Sequence, residues 1–298
     1  MAQGNLALAS SNPLSLKELV QQAGQLVTLP EVYYRLKDAL DNPNSTPQLI
    51  GRIIESDPAL TARLLRLANS PVYSGYQQGS RVDRVSYAVQ LTGFQMLNQL
   101  VLTSVLCGSL GRIASQNQQL ASFWRHSVYT GLLATSLAKR CHVLHPDRLL
   151  AAGLIHDIGL LLMHQKCPIQ AKQVLTLMAA GETSCHDAEK QVYGYTHCEV
   201  GAALLELWRL PESLKAMTAW HHHPQQAGSF ALDASLLHLA NCIANQVGMA
   251  QDLGARDMDS DVWAWQFTGL DETVIPSIQA EADDLFLETI NILMPVHH

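Results

Sequence analysis

Charged side chains are scarce in this sequence of 298 residues, and Lys and Arg (19) are outnumbered by Asp and Glu (26). Charged residues make up 15% of the chain and hydrophobic residues 48%, and the net charge is −7 at pH 7. No cluster of Lys and Arg is present, which argues against a general nucleic-acid-binding protein because phosphate contacts need such clusters. The apolar content excludes a disordered chain and suffices for one large helical domain or two smaller ones.

Long hydrophobic runs and an export signal are also missing. No stretch reaches the ~18 uncharged apolar residues of a membrane span. The first 30 residues lack the basic start, apolar core and cleavage site of a signal peptide. None of the six cysteines forms a CxxC pair. We therefore expect a cytoplasmic protein without membrane association, whose cysteines are reduced thiols in the core.

Helix start signals recur along the chain. Ser45 or Thr46 precedes Pro47, and Asp57 precedes Pro58. A capping side chain followed by proline in the first turn is typical of a helix N-terminus. No apolar alternation is long enough to build a sheet, so the sequence predicts an all-α fold.

The chain is predicted to contain an N-terminal helical subdomain packed on a helical bundle. A polar stretch of small residues near residue 115 marks the boundary between them. The predicted parts are residues 1–115, residues 116–250 with the histidine and aspartate residues discussed below, and closing helices in residues 251–298.

The segment PDRLLAAGLIHDIGLLLMH begins at Pro146 and is apolar nearly all round, which predicts a central buried helix. It carries His156 and Asp157 side by side. A buried carboxylate is unfavourable unless something pairs with it, and the strongest available partner is a metal ion. Adjacent side chains on a helix project ~100° apart, so this pair is expected to straddle a site rather than to point in one direction.

Further histidines lie at helix positions where a core favours apolar side chains. Together with the pair they give five imidazoles and one carboxylate on four predicted helices, namely His126, His156, Asp157, His197, His221 and His222. Imidazole is the commonest metal ligand, and carboxylate suits harder divalent ions. Any one of these histidines alone would be more typical of a hydrogen-bonded core residue, which is our interpretation of His142, His145, His164, His186 and His238.

The order of these residues resembles the HD superfamily of helical metal-dependent phosphohydrolases, through the segments HDIG and HH. The wider chain resembles one branch, the HDOD domain family, through LVTLPEV, IIESDPALTARLLRLANSPVY, FWRHSVYTGLLATSLA and YGYTHCEVGAALLELWRLP. This resemblance implies an all-α, bacterial, cytoplasmic protein that acts as a signalling or output module. Such domains occur alone or beside receiver and cyclic-di-nucleotide domains.

Three positions depart from the pattern of active phosphohydrolases. Leu160 stands where a phosphate-holding lysine often follows HDIG, Asn241 stands at the final aspartate, and Ser122 stands where enzymes that cleave cyclic di-nucleotides carry a glutamate. Arg125 is the obvious nearby substitute for the lysine, although a surface position is the simpler interpretation. The missing anionic charge argues against a tightly held pair of hard divalent ions.

Three functions remain open at this point. The resemblance and its departures favour a non-catalytic signalling module with a residual or regulatory metal site, which binds a signalling protein or a small nucleotide. The alternative is a metal-dependent phosphohydrolase acting on a nucleotide or cyclic di-nucleotide, with Asp157 as its catalytic residue. A third is an assembly protein whose HDIG segment is held by hydrogen bonds alone. If metal binds, one or two ions of iron, zinc, manganese or nickel suit this donor set.

Overall fold

The protein is built from α-helices. The computed structural model describes residues 13–26, 29–70, 82–85, 87–88, 97–106, 118–180, 183–248 and 261–293. Within these ranges the chain forms helices and turns and no β-strand, which confirms the predicted all-α class. No helix in the described ranges is long and apolar enough to cross a bilayer. The boundaries predicted near residues 115 and 250 lie outside the described residues and stay predictions.

Four helices with defined bounds form the N-terminal part, namely α1 (Leu16–Leu26), α2 (Glu31–Asp41), α3 (Pro47–Glu55) and α4 (Pro58–Ala68). Residues 97–106 are also helical. The predicted caps are confirmed, because the Thr46 side chain accepts a hydrogen bond from the backbone N–H of Leu49, and Asp57 accepts from those of Ala59 and Leu60. These bonds satisfy N–H groups that a helix leaves without partners in its first turn.

The remaining helices form the bundle that carries the candidate site. They are α5 (Gln118–Arg140), α6 (Arg148–Ile155), α7 (Ile158–Lys166), α8 (Pro168–Ala179), α9 (Cys185–Tyr193), α10 (His197–Leu207), α11 (Glu212–Trp220), α12 (Ala231–Gln246), α13 (Val262–Thr268) and α14 (Ile275–Leu293). Helices α6, α12 and α14 pack against α5, and α10 packs against both α7 and α11. Arg140 at the end of α5 pairs with Glu281 of α14, Nη2 to Oε1 at 2.6 Å.

The apolar segment that begins at Pro146 was predicted to be one buried helix, but it forms two helices. Helix α6 ends at Ile155 and α7 begins at Ile158, so His156 and Asp157 form the junction. Asp157 has φ −99° and ψ 14°, away from helical values. At this break the two side chains converge, with His156 Nε2 at 3.1 Å from Asp157 Oδ2. The expectation that they could not point in one direction was therefore wrong, because it assumed a continuous helix.

Glycines allow the backbones of the helices to touch at two places beside this junction. Gly131 of α5 meets Gly153 of α6, and a Cβ on Gly153 would overlap the Gly131 backbone. A Cβ on Gly159 of α7 would overlap the carbonyl oxygen of His197 at the start of α10. Close contact of α7 with α10 therefore brings His197 next to the junction that carries Asp157.

Replacing Gly159 with alanine is expected to destabilise the fold by about 2–3 kcal/mol, because the new methyl group meets backbone atoms that have no rotamer to change. Gly51 lies inside α3 and is the matched control, since a Cβ there meets nothing within 4 Å. Gly51→Ala should stabilise the protein by about 0.5–1 kcal/mol through helix propensity. Urea unfolding of both variants measures these changes. Equal midpoints for the two variants would contradict the close contact between α7 and α10.

Candidate metal centre

Four separate segments meet around the carboxylate of Asp157. Its Oδ2 lies 3.1 Å from His156 Nε2 and 3.8 Å from His126 Nε2. Its Oδ1 lies 3.4 Å from His221 Nε2 and 3.5 Å from His197 Nε2. Each oxygen therefore faces a different pair of imidazoles. A carboxylate that bridges two cations has this arrangement.

His222, the sixth predicted residue, lies next to His197. The distance between its Nε2 and His197 Nε2 is 3.1 Å. The structure thus brings together all six residues that the sequence predicts for a metal site. Among the described residues, three groups of potential ligands have their atoms within 4.8 Å of one another. The first consists of His126, His156 and Asp157, the second of His197, Cys198, His221 and His222, and the third of Cys185, Glu189 and His197.

The centre is closed off from solvent on most sides. His156 and His221 are fully buried, and His126, Asp157 and His197 are at most 4% exposed. His222 is partly exposed. The buried atoms of the centre that make no hydrogen bond within the protein include His156 Nε2 and Asp157 Oδ1. Buried polar atoms without partners are unfavourable, and a cation between them would satisfy both.

Backbone carbonyls orient two of the imidazoles. His156 Nδ1 lies 2.9 Å from the Gly153 carbonyl oxygen, and His221 Nδ1 lies 2.9 Å from the Thr218 carbonyl oxygen. A carbonyl oxygen only accepts hydrogen bonds, so the proton must be on Nδ1 in both rings. Each Nε2 then presents its lone pair to the centre, which is the form of histidine that binds a metal.

Glu189 orients the third imidazole and is a residue that sequence reasoning missed. It is fully buried on α9, and its Oε2 lies 2.8 Å from both the backbone nitrogen and Nδ1 of His197. Burial alone would lower the pKa of His197, but Cys198 and Glu189 raise this pKa well above its usual value. The signal available in the sequence was an acidic residue on the apolar face that α9 forms with Cys185 and Ala188.

Cys198 is the second residue that was missed. It was assigned to the core as a reduced thiol, and the five cysteines in the described ranges form no disulfide. However, its Sγ lies 3.5 Å from His197 Nε2 and 3.9 Å from His221 Nδ1. Burial raises the pKa of this thiol. Its position directly after His197 in the first turn of α10 was the only sequence signal.

Burial and mutual repulsion keep two of the histidines neutral. Burial and the neighbouring His156 lower the pKa of His126 to about 4. Burial and the neighbouring His222 hold the pKa of His221 well below its usual value. Burial would raise the pKa of Asp157, but the imidazoles, His156 foremost, hold it well below its usual value. The neutral forms of His126 and His221 and the ionised form of Asp157 are the protonation states that metal binding requires, whereas His197 has to lose a proton when an ion binds.

Two of the departures from the phosphohydrolase pattern, Asn241 and Leu160, are buried. Asn241 on α12 is buried beside His126, and its side-chain amide acts to raise the pKa of that imidazole. It therefore occupies the edge of the centre without bringing a charge. Leu160 is buried in the apolar core. Arg125 is exposed on α5, which confirms the surface interpretation and separates its side chain from the buried cluster.

His238 has the structural role that the sequence analysis assigned to it. Its Nδ1 donates to the His221 carbonyl oxygen at 2.8 Å, and its Nε2 accepts from the Asp261 backbone N–H at 3.0 Å. Both ring nitrogens are thus used in linking α12 to the turns on either side. This histidine supports the centre from outside without contributing a ligand atom.

Known proteins resemble the chain over most of its length. A Shewanella amazonensis SB2B protein described as a "Putative phosphohydrolase" is 26% identical, with a TM-score of 0.68 over 92% of this chain and 97% of that one. A Marinobacter aquaeolei VT8 protein described as a "Putative signal transduction protein" is 24% identical, with a TM-score of 0.68 over 92% of this chain and 61% of that one.

A curated relative from Treponema pallidum (strain Nichols), named "Uncharacterized protein", is 25% identical over 221 residues. The match covers 74% of this chain but only 42% of that protein, so the chain spans less than half the length of this relative. The family model of the HDOD domain matches residues 26–224, which is well over half of the chain. This match includes every residue of the histidine–aspartate centre, and the chain belongs to the HDOD domain family.

Proposed function

We propose that this protein is a signalling or output module whose histidine–aspartate centre holds a divalent metal ion for structure or regulation and not for hydrolysis. The observation that carries this proposal is the burial of Asp157 together with the imidazoles around it, at 0–4% exposure for His126, His156, Asp157, His197 and His221. A phosphoester has to reach the metal to be cleaved, whereas a structural or regulatory ion does not. Signal output would then occur through a protein partner or a small nucleotide bound to another surface.

The donor set fits a metal ion. Three of its imidazoles have Nδ1 in a hydrogen bond to a carbonyl or carboxylate oxygen, which directs Nε2 inward. Other atoms of the centre, among them His156 Nε2 and Asp157 Oδ1, are buried without a hydrogen bond. A mixed imidazole and carboxylate set suits zinc, iron, manganese or nickel. A bound ion would link α5, the junction of α6 and α7, the start of α10 and the end of α11.

The charge of the centre argues against catalysis by a pair of hard ions. Asp157 brings one negative charge to five imidazoles, and Asn241 brings none where the superfamily pattern has an aspartate. Affinity for hard divalent ions depends on the number of charged ligands. Leu160 also removes the cation that would hold a phosphate group, and the exposed Arg125 does not replace it.

The second candidate function is a metal-dependent phosphohydrolase acting on a nucleotide or cyclic di-nucleotide. The observation in its favour is that the two oxygens of Asp157 face separate imidazole pairs, as in a carboxylate that bridges two ions. The Shewanella relative described as a "Putative phosphohydrolase" is consistent with it. In this case Asp157 would bridge the ions and the histidines would fix their positions.

Removing the Asp157 carboxylate should weaken metal binding strongly, because its two oxygens face the imidazoles of both ligand groups. Elemental analysis of protein purified without a nickel column should find near-stoichiometric metal in the wild type and little in Asp157→Ala, with helix content retained. A chelator should lower the wild-type Tm by roughly 5–10 °C, because loss of a ligand held at ~100 times its Kd removes about 2.7 kcal/mol. The Tm of the variant should not respond to chelator.

Asp233→Ala is the matched control, because Asp233 is a buried aspartate that pairs with Arg148 (2.8 Å) and lies outside the centre. It should lose stability yet keep its metal. Absence of metal from both the wild type and Asp157→Ala would overturn the proposed metal site.

Metal-replete wild-type protein should not hydrolyse phosphomonoesters, phosphodiesters or cyclic di-nucleotides above the rate of Asp157→Ala. The reason is the closed centre and the presence of Leu160 in place of the phosphate-holding lysine. Release of inorganic phosphate and of linear nucleotides measures the rate. Turnover that the wild type has and Asp157→Ala lacks would establish the phosphohydrolase instead.

Glu189→Gln should weaken metal binding by about 10–100-fold, because the amide cannot hold the His197 imidazole as the carboxylate does. Titration with a competing chelator measures this change. Glu206→Gln is the control, since Glu206 is exposed on the same helix as His197 and is expected to leave affinity unchanged. Equal affinity in Glu189→Gln and wild type would mean that Glu189 does not support a ligand.

A further inference from the structure

We propose that Cys198 is a metal ligand in the form of its thiolate, and that it completes a tetrahedral zinc-type site with His197, His221 and His222. This inference rests on the proposed metal centre and specifies the chemistry of one side of it. The four residues bring their potential ligand atoms within 4.8 Å of one another, and all but His222 are fully or almost fully buried.

The distances from His197 Nε2 to the other donors match tetrahedral coordination. With Zn–N bonds of about 2.0–2.1 Å and a Zn–S bond of about 2.3 Å, a tetrahedron places two nitrogens about 3.3 Å apart and a nitrogen and a sulfur about 3.6 Å apart. His197 Nε2 lies 3.1 Å from His222 Nε2 and 3.5 Å from His221 Nε2. It lies 3.5 Å from Cys198 Sγ. The three distances from His197 Nε2 therefore suit donors to one tetrahedral ion, and the other pairs of the set lie within 4.8 Å.

The start of α10 fixes the position of the thiol. Thr196 and Glu199 form a capping box, in which the Thr196 side chain accepts from the Glu199 backbone N–H and the Glu199 side chain accepts from that of Thr196. This arrangement holds the first turn of α10, so that His197 and Cys198 both reach the centre from neighbouring positions. A helix N-terminus also favours a negatively charged group such as a thiolate.

A second observation points into the same space. Asp157 Oδ1 is buried without a hydrogen bond and lies 3.4–3.5 Å from the Nε2 atoms of His221 and His197. A cation among these imidazoles would satisfy this oxygen electrostatically. When the ion binds, the S–H bond of Cys198 breaks, a metal–sulfur bond forms, and the proton leaves to solvent.

A thiolate changes which metals the site prefers. Soft sulfur ligands favour zinc over magnesium or manganese, which prefer oxygen. A set of three imidazoles and one thiolate also fills the four positions of tetrahedral zinc, as in structural sites, whereas catalytic sites keep one position open. The presence of Cys198 in the donor set therefore agrees with a centre that does not hydrolyse substrates.

Cobalt(II) replacing the native metal reports a thiolate ligand directly. The cobalt-loaded wild type should show a thiolate-to-cobalt charge-transfer band in the near ultraviolet and the intense visible bands of tetrahedral cobalt. Cys198→Ser should lose the charge-transfer band and bind metal on the order of tenfold more weakly. Cys167→Ser is the matched control, because Cys167 is buried at the start of α8 outside all three ligand groups, and it should keep the band.

The outcomes separate this inference from the proposed function. A wild type that binds neither cobalt nor zinc would overturn the metal centre itself. Cobalt bound without a charge-transfer band, or a band that persists in Cys198→Ser, would overturn the role of Cys198 alone. X-ray absorption of the zinc-loaded wild type needs no variant, and a sulfur neighbour at about 2.3 Å is the expected result.

Discussion

The buried carboxylate of Asp157 is the constraint that most of the surrounding structure satisfies. An ionised group inside a protein is unfavourable unless charge or hydrogen bonds compensate for it. Each oxygen of Asp157 faces two imidazole Nε2 atoms, and the residues that supply them are far apart in the sequence. The bundle must therefore hold four helical segments within contact distance of one side chain. Packing between helices, more than any single segment, creates the centre.

Two features of the backbone make that packing possible. The break between α6 and α7 turns His156 and Asp157 towards the same space, and glycines at 131, 153 and 159 let neighbouring backbones touch. The Nδ1 atoms of His156, His197 and His221 form hydrogen bonds on the outside of the centre, which directs each Nε2 lone pair into it. Two of the three acceptors are main-chain carbonyl groups. Backbone atoms thus orient two of these imidazoles, and the Glu189 side chain performs the same task for His197.

The sequence predicted the helices and the six residues of the centre because their signals are local. Capping residues followed by proline mark helix starts, and a histidine or aspartate in an apolar segment is conspicuous. The break at His156–Asp157 had no such signal, since the segments on both sides are apolar all round and their periodicity does not change. Glu189 and Cys198 were missed because their contacts arise where α9, α10 and the end of α11 pack together. The spacing of residues along the chain does not predict which helices pack against each other.

The distribution of charge limits what the centre can do. Asp157 is shared between its two sides, and Asn241 leaves the side of His126 and His156 without a further anion. A thiolate at Cys198 would give the other side a complete tetrahedral set, with no position left for a water molecule. Hydrolysis requires such an open position, whereas a metal that joins helices does not. The number and type of donors, more than the loss of any one residue, therefore separate an ion that holds the bundle together from one that acts on a phosphoester.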